Sequence, residues 1–292
     1  MEKCLVCNSR EIACIYKDRI RSGAYGKVSD EEYSVMRCAN CNLAYLQPFP
    51  KIPYDTSQYR EAYNDASDIS SYFLIHDRDQ MSTISKIGIE RFRGKVVVDI
   101  GCGGGSFLDA VKGLATKTIG IEPFVGYHSN LLARGHEVFS SLKEAEKQLS
   151  ESVEIVVSFG VIEHTVDPIE YMRGAYSLLN KGGVIYLETD NTDDFLMNMK
   201  IPEYEQFFYR TAHNWYFDRK SLRRIFEELG FENIKEGFLA LHDLSNVFLW
   251  MKDRVPTGVG AINDISLFCD NAWKLYLEES GRAEILHFSA EK

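Results

Sequence analysis

Val96-Val97-Val98-Asp99-Ile100-Gly101-Cys102-Gly103-Gly104-Gly105-Ser106 passes from a β-branched run into four glycines within five positions. A short β-branched run of this kind suits a buried parallel strand. Glycines in a row let the backbone turn sharply and approach a ligand with no Cβ in the way. The residues after Ser106 read as a helix to Leu114. Strand, glycine turn and helix in that order predict the first unit of an α/β sheet with its ligand at the turn.

Outward from this unit, strand-like and helix-like stretches alternate. Strands are expected at Thr118–Ile121, His136–Phe139, Val153–Phe159, Val184–Thr189, Phe231–Leu239 and Glu284–Phe288. Helices are expected at Val125–Ala133, Leu142–Leu149, from Pro168 behind the cap Asp167, and at Ser221–Leu229. The turn Asn180-Lys181-Gly182-Gly183 should end the third of these helices. The fold class is therefore α/β, a doubly wound Rossmann-like sheet.

Upstream, Cys4-x-x-Cys7 and Cys38-x-x-Cys41 form two knuckles, followed by three prolines, Pro48, Pro50 and Pro53, in an extended linker. Two knuckles supply the four thiolates of a tetrahedral zinc site, and with all four positions taken by sulfur the metal is expected to be structural. Cys14, Cys102 and Cys269 lack such a partner and are expected as small buried residues. The predicted organisation is a zinc-ribbon module over 1–50, a linker with cap helices over 51–92, and the α/β domain over 93–292 with a lid near 191–217.

With 45% hydrophobic and 26% charged residues, the 292-residue chain can bury a sizeable core. Its formal net charge of −10 speaks against a nucleic-acid surface, which needs clustered Lys and Arg. No apolar run approaches the ~18–20 residues that cross a bilayer, and the N-terminus lacks the apolar stretch of a secretory signal. The expected location is the cytoplasm, where cysteines serve as metal ligands or thiols instead of disulfides. The sequence is compatible with a homo-oligomer and does not specify one.

The glycine turn departs from a dinucleotide fingerprint, since the sixth position from Gly101 is Ser106, and no Gly-Lys-Ser/Thr follows it. Asp99 at the strand end suits a ligand with a positively charged amino group. Glu122, in Ile119-Gly120-Ile121-Glu122-Pro123, lies about 20 residues on, where a carboxylate can accept from both hydroxyls of a ribose. Together these features resemble motif I and the acidic ribose position of class I S-adenosylmethionine-dependent methyltransferases. Ser158-Phe159-Gly160-Val161-Ile162-Glu163-His164 resembles their fourth-strand motif, and Leu178 to Gly183 their turn before the fifth strand.

That resemblance implies S-adenosylmethionine as cofactor and a seven-stranded sheet whose last strand runs antiparallel. By the same resemblance the cofactor contacts are Asp99, Gly101, Cys102, Gly103, Gly105, Glu122, Pro123, Phe159 and Gly160, with adenine near Ser141 and Leu142. The ribbon, with Cys38-Ala39-Asn40-Cys41-Asn42-Leu43-Ala44-Tyr45, looks like the zinc-binding head of certain bacterial sugar methyltransferases.

A hydroxyl acceptor benefits from a base with a pKa near neutrality. His213 in Thr211-Ala212-His213-Asn214-Trp215-Tyr216-Phe217 follows the fifth strand at the ligand-binding edge of such a sheet. The segment resembles the His-x-x-Tyr-Phe stretch of deoxysugar methyltransferases and the Thr-His-x-Trp stretch of ubiquinone-pathway O-methyltransferases. Sugar C-methyltransferases carry Glu before that histidine; Ala212 stands there, which speaks against C-methylation. Glu163 and His164 are further catalytic candidates that also suit shaping the pocket. Tyr59, Tyr63, Tyr72, Tyr204 and Tyr209 suit an acceptor pocket or plain packing, and Arg19, Arg21 or Arg210 could meet a phosphate.

The expected activity is methyl transfer to a small polar acceptor, a hydroxyl of a nucleotide-linked sugar or related metabolite. The rivals are an RNA methyltransferase with a zinc head and a non-catalytic cofactor-binding scaffold.

Overall fold

A computed structural model describes residues 2–62, 69–256, 262 and 264–292. Three N-terminal strands, β1 (Ile12–Asp18), β2 (Tyr33–Cys38) and β3 (Ala44–Gln47), form an antiparallel ribbon. The glycine-turn unit begins at β4 (Val96–Ile100) and continues through β5 (Lys117–Ile121), β6 (Glu137–Phe139), β7 (Val153–Phe159) and β8 (Leu179–Asp190). After them come β9 (Trp215–Tyr216), β10 (Glu232–Leu239) and β11 (Ile285–Glu291).

The main sheet has seven strands in the order β10-β11-β8-β7-β4-β5-β6. Strands β4 to β8 are mutually parallel, while β11 runs antiparallel to both β8 and β10. Alternation along β4 explains why its valines and Ile100 had to be apolar on both faces, with Asp99 the exception at the ligand edge. Val98 and Ile100 join a core cluster with Met172 and Ile225, while Val97 joins one with Phe92, Phe107 and Leu131. Both faces are covered by helices, so the expected seven-stranded Rossmann-like sheet with an antiparallel last strand is what forms.

Several boundaries differ from the sequence reading. β8 starts at Leu179 because Leu179 pairs with Val153 before the register shifts and resumes at Val184–Ile155. Gly182 still takes a left-handed φ of 79°, and its N–H donates to the Lys292 carbonyl at 2.9 Å, so the expected turn is carried as an irregularity within a paired strand. Of two unforeseen helices, Leu267–Ser280 packs on β10 and Leu244–Asp253 packs on Leu267–Ser280. Cys14 and Cys269 are exposed and not buried: Cys14 lies on the ribbon's edge strand and Cys269 in the first turn of a surface helix.

The ribbon does not stand apart. β9 pairs with β3 through Ala44–Tyr216 and Tyr45–Trp215, making the ribbon a four-stranded sheet whose last strand comes from the segment after His213. Asn42 Nδ2 donates to Asp218 Oδ2 at 2.7 Å, and Asp218 also caps the helix Arg219–Glu228 in a reciprocal capping box. Such a cap contributes about 1 kcal/mol. Among the described residues, no helix is long and apolar enough to cross a membrane.

Candidate active site

Each knuckle turns on an asparagine in left-handed conformation, Asn8 (φ 58°) and Asn42 (φ 67°), whose N–H donates back to the carbonyl of Cys4 or Cys38. Asparagine tolerates that conformation better than most residues. The Sγ atoms of Cys4 and Cys41 stand 3.4 Å apart, those of Cys7 and Cys38 3.5 Å, and all four lie within 4.8 Å of one another. Tetrahedral thiolates at ~2.3 Å from zinc would stand ~3.8 Å apart, so the donor set fits the ion.

At the carboxyl edge of the main sheet, Gly101, Gly103 and Gly105 all take positive φ (80°, 52° and 92°). A side chain at Gly103 would strike the Tyr72 ring at 2.8 Å, and one at Gly101 would strike Val161 at 2.4 Å. The Glu122 carboxylate accepts from the N–H groups of Gly103 (2.9 Å) and Phe124 (2.7 Å), which ties the end of β5 to the loop after β4. A carboxylate at the end of β5 is compatible with ribose hydroxyls, which donate to such a group. Asp99 is buried, and burial, reinforced by the nearby Glu122 charge, pushes its pKa up to about 8. A buried acid pair at this edge fits the cationic, hydroxyl-bearing cofactor inferred from the motif.

The other residues assigned to the cofactor divide between this edge and its surroundings. Gly160 (φ 66°) is exposed just beyond β7, and Phe159 packs edge-on to Phe107 at 5.5 Å. Cys102 is buried beneath the loop against Gly120, and Pro123 is exposed beyond Glu122. Ser141 caps the helix Leu142–Leu149 by accepting from the Glu144 N–H at 3.2 Å, while Leu142 packs over Gly174.

Beside this loop lies a second cluster. β7 ends in one 3-10 turn, Ile162–His164, and the His213 segment is clamped onto it. The Asn214 N–H donates to the Glu163 carbonyl (2.8 Å), Asn214 Nδ2 to the carbonyls of His164 and Thr165, and Trp215 Nε1 to that of Thr165 (2.9 Å). These bonds bring the His164 and His213 rings to 4.7 Å, edge to face. His164 Nδ1 donates to the Ala212 carbonyl at 2.6 Å, leaving Nε2 as its lone-pair nitrogen. Tyr54 OH donates to the same carbonyl, and the rings of Tyr54 and Tyr59 pack against His164.

His213 is buried, and its Nδ1 lies 3.5 Å from Asp190 Oδ2 with no hydrogen-bond partner among the described residues. Asp190 itself is ion-paired with Arg210. Burial, with Arg210, His164 and Arg21 adding to it, pushes the His213 pKa well below its usual value, and burial takes His164 down to about 4. Burial and the Asp190 charge hold the Glu163 carboxyl well above the usual range, although Thr189 Oγ1 donates to it at 2.9 Å. One ligand atom from each of Glu163, His164 and His213 lies within 4.8 Å of the others, a spacing that could also hold a divalent cation.

The sequence reading missed Tyr54, Asp190 and Thr189. Only Asp190, directly after the fifth strand, carried a positional signal. Tyr72 covers the glycine loop, and Tyr204 and Tyr209 are buried in the lid, Tyr204 OH donating to Asp194 at 2.7 Å. Tyr63 lies outside the described residues.

Residues 72–236 match a family described as a methyltransferase domain. A ubiquinone biosynthesis O-methyltransferase of Ruegeria pomeroyi is 30% identical over 169 residues, 52% of this chain and 67% of that protein. One from Dinoroseobacter shibae is 28% identical over 168 residues, 53% and 66% respectively. Among solved structures, a SAM-dependent methyltransferase from Archaeoglobus fulgidus superposes with a TM-score of 0.53 at 17% identity, covering 80% of this chain and 98% of that one. A possible histamine N-methyltransferase from Thermotoga maritima gives 0.52 at 20% identity, with 76% and 93% covered. These two likenesses concern the fold alone. The two sequence relatives are ubiquinone-biosynthesis proteins by name, whereas the ribbon pointed to sugar methyltransferases.

Proposed function

The chain belongs to the methyltransferase-domain family and is an S-adenosylmethionine-dependent methyltransferase, and from that premise we propose that it methylates a hydroxyl of a small polar acceptor, with His213 as the base. The observation that carries this reading is the buried, uncommitted Nδ1 of His213 at the sheet edge beside the cofactor loop. The cofactor supplies an electrophilic methyl group on a sulfonium. Asp99 holds its amino end and Glu122 its ribose, which fixes the direction from which the acceptor must approach.

On the acceptor side a depressed pKa keeps His213 neutral at neutral pH, so its lone pair is free to take the hydroxyl proton as the methyl group moves. Asp190, 3.5 Å from Nδ1, then stabilises the imidazolium. Glu163 and His164 shape the wall and orient the His213 loop. A nucleotide-linked sugar accords with the ribbon and with His213-x-x-Tyr216-Phe217. The names of the relatives favour a second acceptor, one from ubiquinone biosynthesis.

His213→Ala should lower kcat by about 10²- to 10⁴-fold with unchanged affinity for S-adenosylhomocysteine. Turnover at the wild-type rate in that variant removes the base. Screening sugar nucleotides against quinone-pathway acceptors decides the substrate class.

For the ribbon we infer a structural zinc held by Cys4, Cys7, Cys38 and Cys41. Metal analysis should find close to one zinc per chain, and Cys38→Ser should lose it together with thermal stability. A folded wild-type chain without metal would contradict the assignment.

A further inference from the structure

The β1–β2 connection ends in a tight tip strapped to the lid. The Arg21 N–H donates to the carbonyls of Gln206 (3.1 Å) and Tyr209 (3.0 Å), and the Thr211 N–H donates to the Arg21 carbonyl (2.9 Å). Between tip and lid lies an open cleft of about 170 Å³, lined by Arg21, Lys27 and Arg254 with Tyr25, Phe207 and Glu203. That is room for several water molecules at ~30 Å³ each, enough for a phosphate or a diphosphate.

Three cations meet one carboxylate here, on a chain whose net charge is −10. Among the described residues, no carboxylate forms an ion pair with Lys27 or Arg254. The Arg21 guanidinium lies over the Phe207 ring, 4.3 Å from its centroid, so that side chain is held in place and not free to sweep through solvent. Tyr25 stands edge-on to the same ring at 6.0 Å and is 53% exposed, leaving ring surface at the cleft. Two guanidinium groups beside an ammonium are the chemistry that recognises phosphate oxygens. The strap ends at Thr211, two residues before His213. The Arg21 charge is among those that lower the His213 pKa, so the cleft's fixed cation lies on the side of the base.

We propose that this cleft binds the phosphate or diphosphate of the acceptor, making the substrate a phosphorylated small molecule whose hydroxyl reaches His213. The assignment rests on His213 marking the acceptor end of the site. It gives the ribbon a role in recognition, because two of the three cations come from its hairpin tip.

The test uses the full chain saturated with S-adenosylhomocysteine and titrated calorimetrically with inorganic diphosphate. Lys27→Gln combined with Arg254→Gln, both on exposed side chains, should weaken diphosphate binding at least tenfold. Lys147→Gln, a distant surface control, should leave it unchanged, and the affinity for S-adenosylhomocysteine should be equal in all three proteins. Equal diphosphate binding in wild type and double variant, or none to wild type at millimolar concentration, overturns the cleft.

Competition separates the acceptor's own phosphate from a free anion. Diphosphate should inhibit methylation of a phosphorylated acceptor competitively, and the double variant should raise KM about tenfold with kcat retained. Diphosphate that binds without competing would mean a free-anion site and overturn the acceptor assignment. If His213→Ala keeps full turnover while still binding diphosphate, the base falls and the cleft stands.

Discussion

The two ends of the active site have opposite electrostatic characters. At the cofactor end two buried carboxylates, Asp99 and Glu122, face one loop, and both influences on Asp99 push its proton affinity up. Around His213 charge is cancelled. Arg210 takes the Asp190 carboxylate, Glu163 is driven toward its protonated form, and both histidines are driven toward neutrality. One end asks for a cation and the other keeps an uncharged nucleophile's surroundings uncharged. A sulfonium donor and a hydroxyl acceptor need that division, because the methyl group leaves a positive centre for a neutral one.

The largest effect that would test the division lies at Asp99. Asp99→Asn should weaken S-adenosylhomocysteine binding about tenfold to a hundredfold, the worth of a charge-assisted contact. With a pKa of about 8 the wild-type carboxyl is mostly protonated at pH 7, and the ligand's ammonium favours the carboxylate. Binding at pH 7 should therefore release nearly one proton, measured by calorimetry in buffers of different ionisation enthalpy, and release should vanish above roughly pH 9. Asp99→Asn should release none. Equal release by both proteins would mean that the cofactor end is not poised for a cation.

A smaller effect belongs to Glu163. Its folded-state pKa is raised, so the folded protein binds this proton more tightly than the unfolded chain does. Its contribution to stability is complete below the ordinary carboxylate range and is lost as pH rises toward the raised value. Glu163→Gln removes the dependence. The variant's melting temperature should gain on wild type between pH 5 and pH 8.5, by on the order of 3 °C, in thermal unfolding followed by circular dichroism. A constant difference across that range would mean that the acceptor end carries an ionised Glu163.

The two ends also differ in how much of them could be read from residues alone. Asp99, the glycines and Glu122 fall within 24 consecutive residues, and their geometry is dictated by local backbone needs such as the positive φ of Gly101 and Gly105. The acceptor end gathers Tyr54, Glu163, His164, Asp190, Arg210 and His213, whose juxtaposition depends on long-range bonds such as that between Asn214 and the Glu163 carbonyl. His213 was legible through its motif, but Tyr54 and Thr189 have no motif and enter only through the fold. The positions of the parallel strands were legible because most of them are short, largely apolar runs, whereas their order in the sheet was not. Helices Leu244–Asp253 and Leu267–Ser280 were missed although Asp243 and Ser266 cap them and Leu244, Val247, Phe248 and Met251 recur at helical spacing, a signal that was legible and not used.

The pairing of β3 with β9 has a consequence for chain engineering and for descent. Leu46 donates its N–H to the Asn214 carbonyl, next to His213, so the N-terminal strands form scaffolding for the segment that carries His213. Grafting a foreign ribbon onto this sheet would have to reproduce the Ala44–Tyr216 and Tyr45–Trp215 register along with the four cysteines. Chimeras are better cut to carry residues 1–50 and 206–218 from the same parent, as two pieces of a single inherited part.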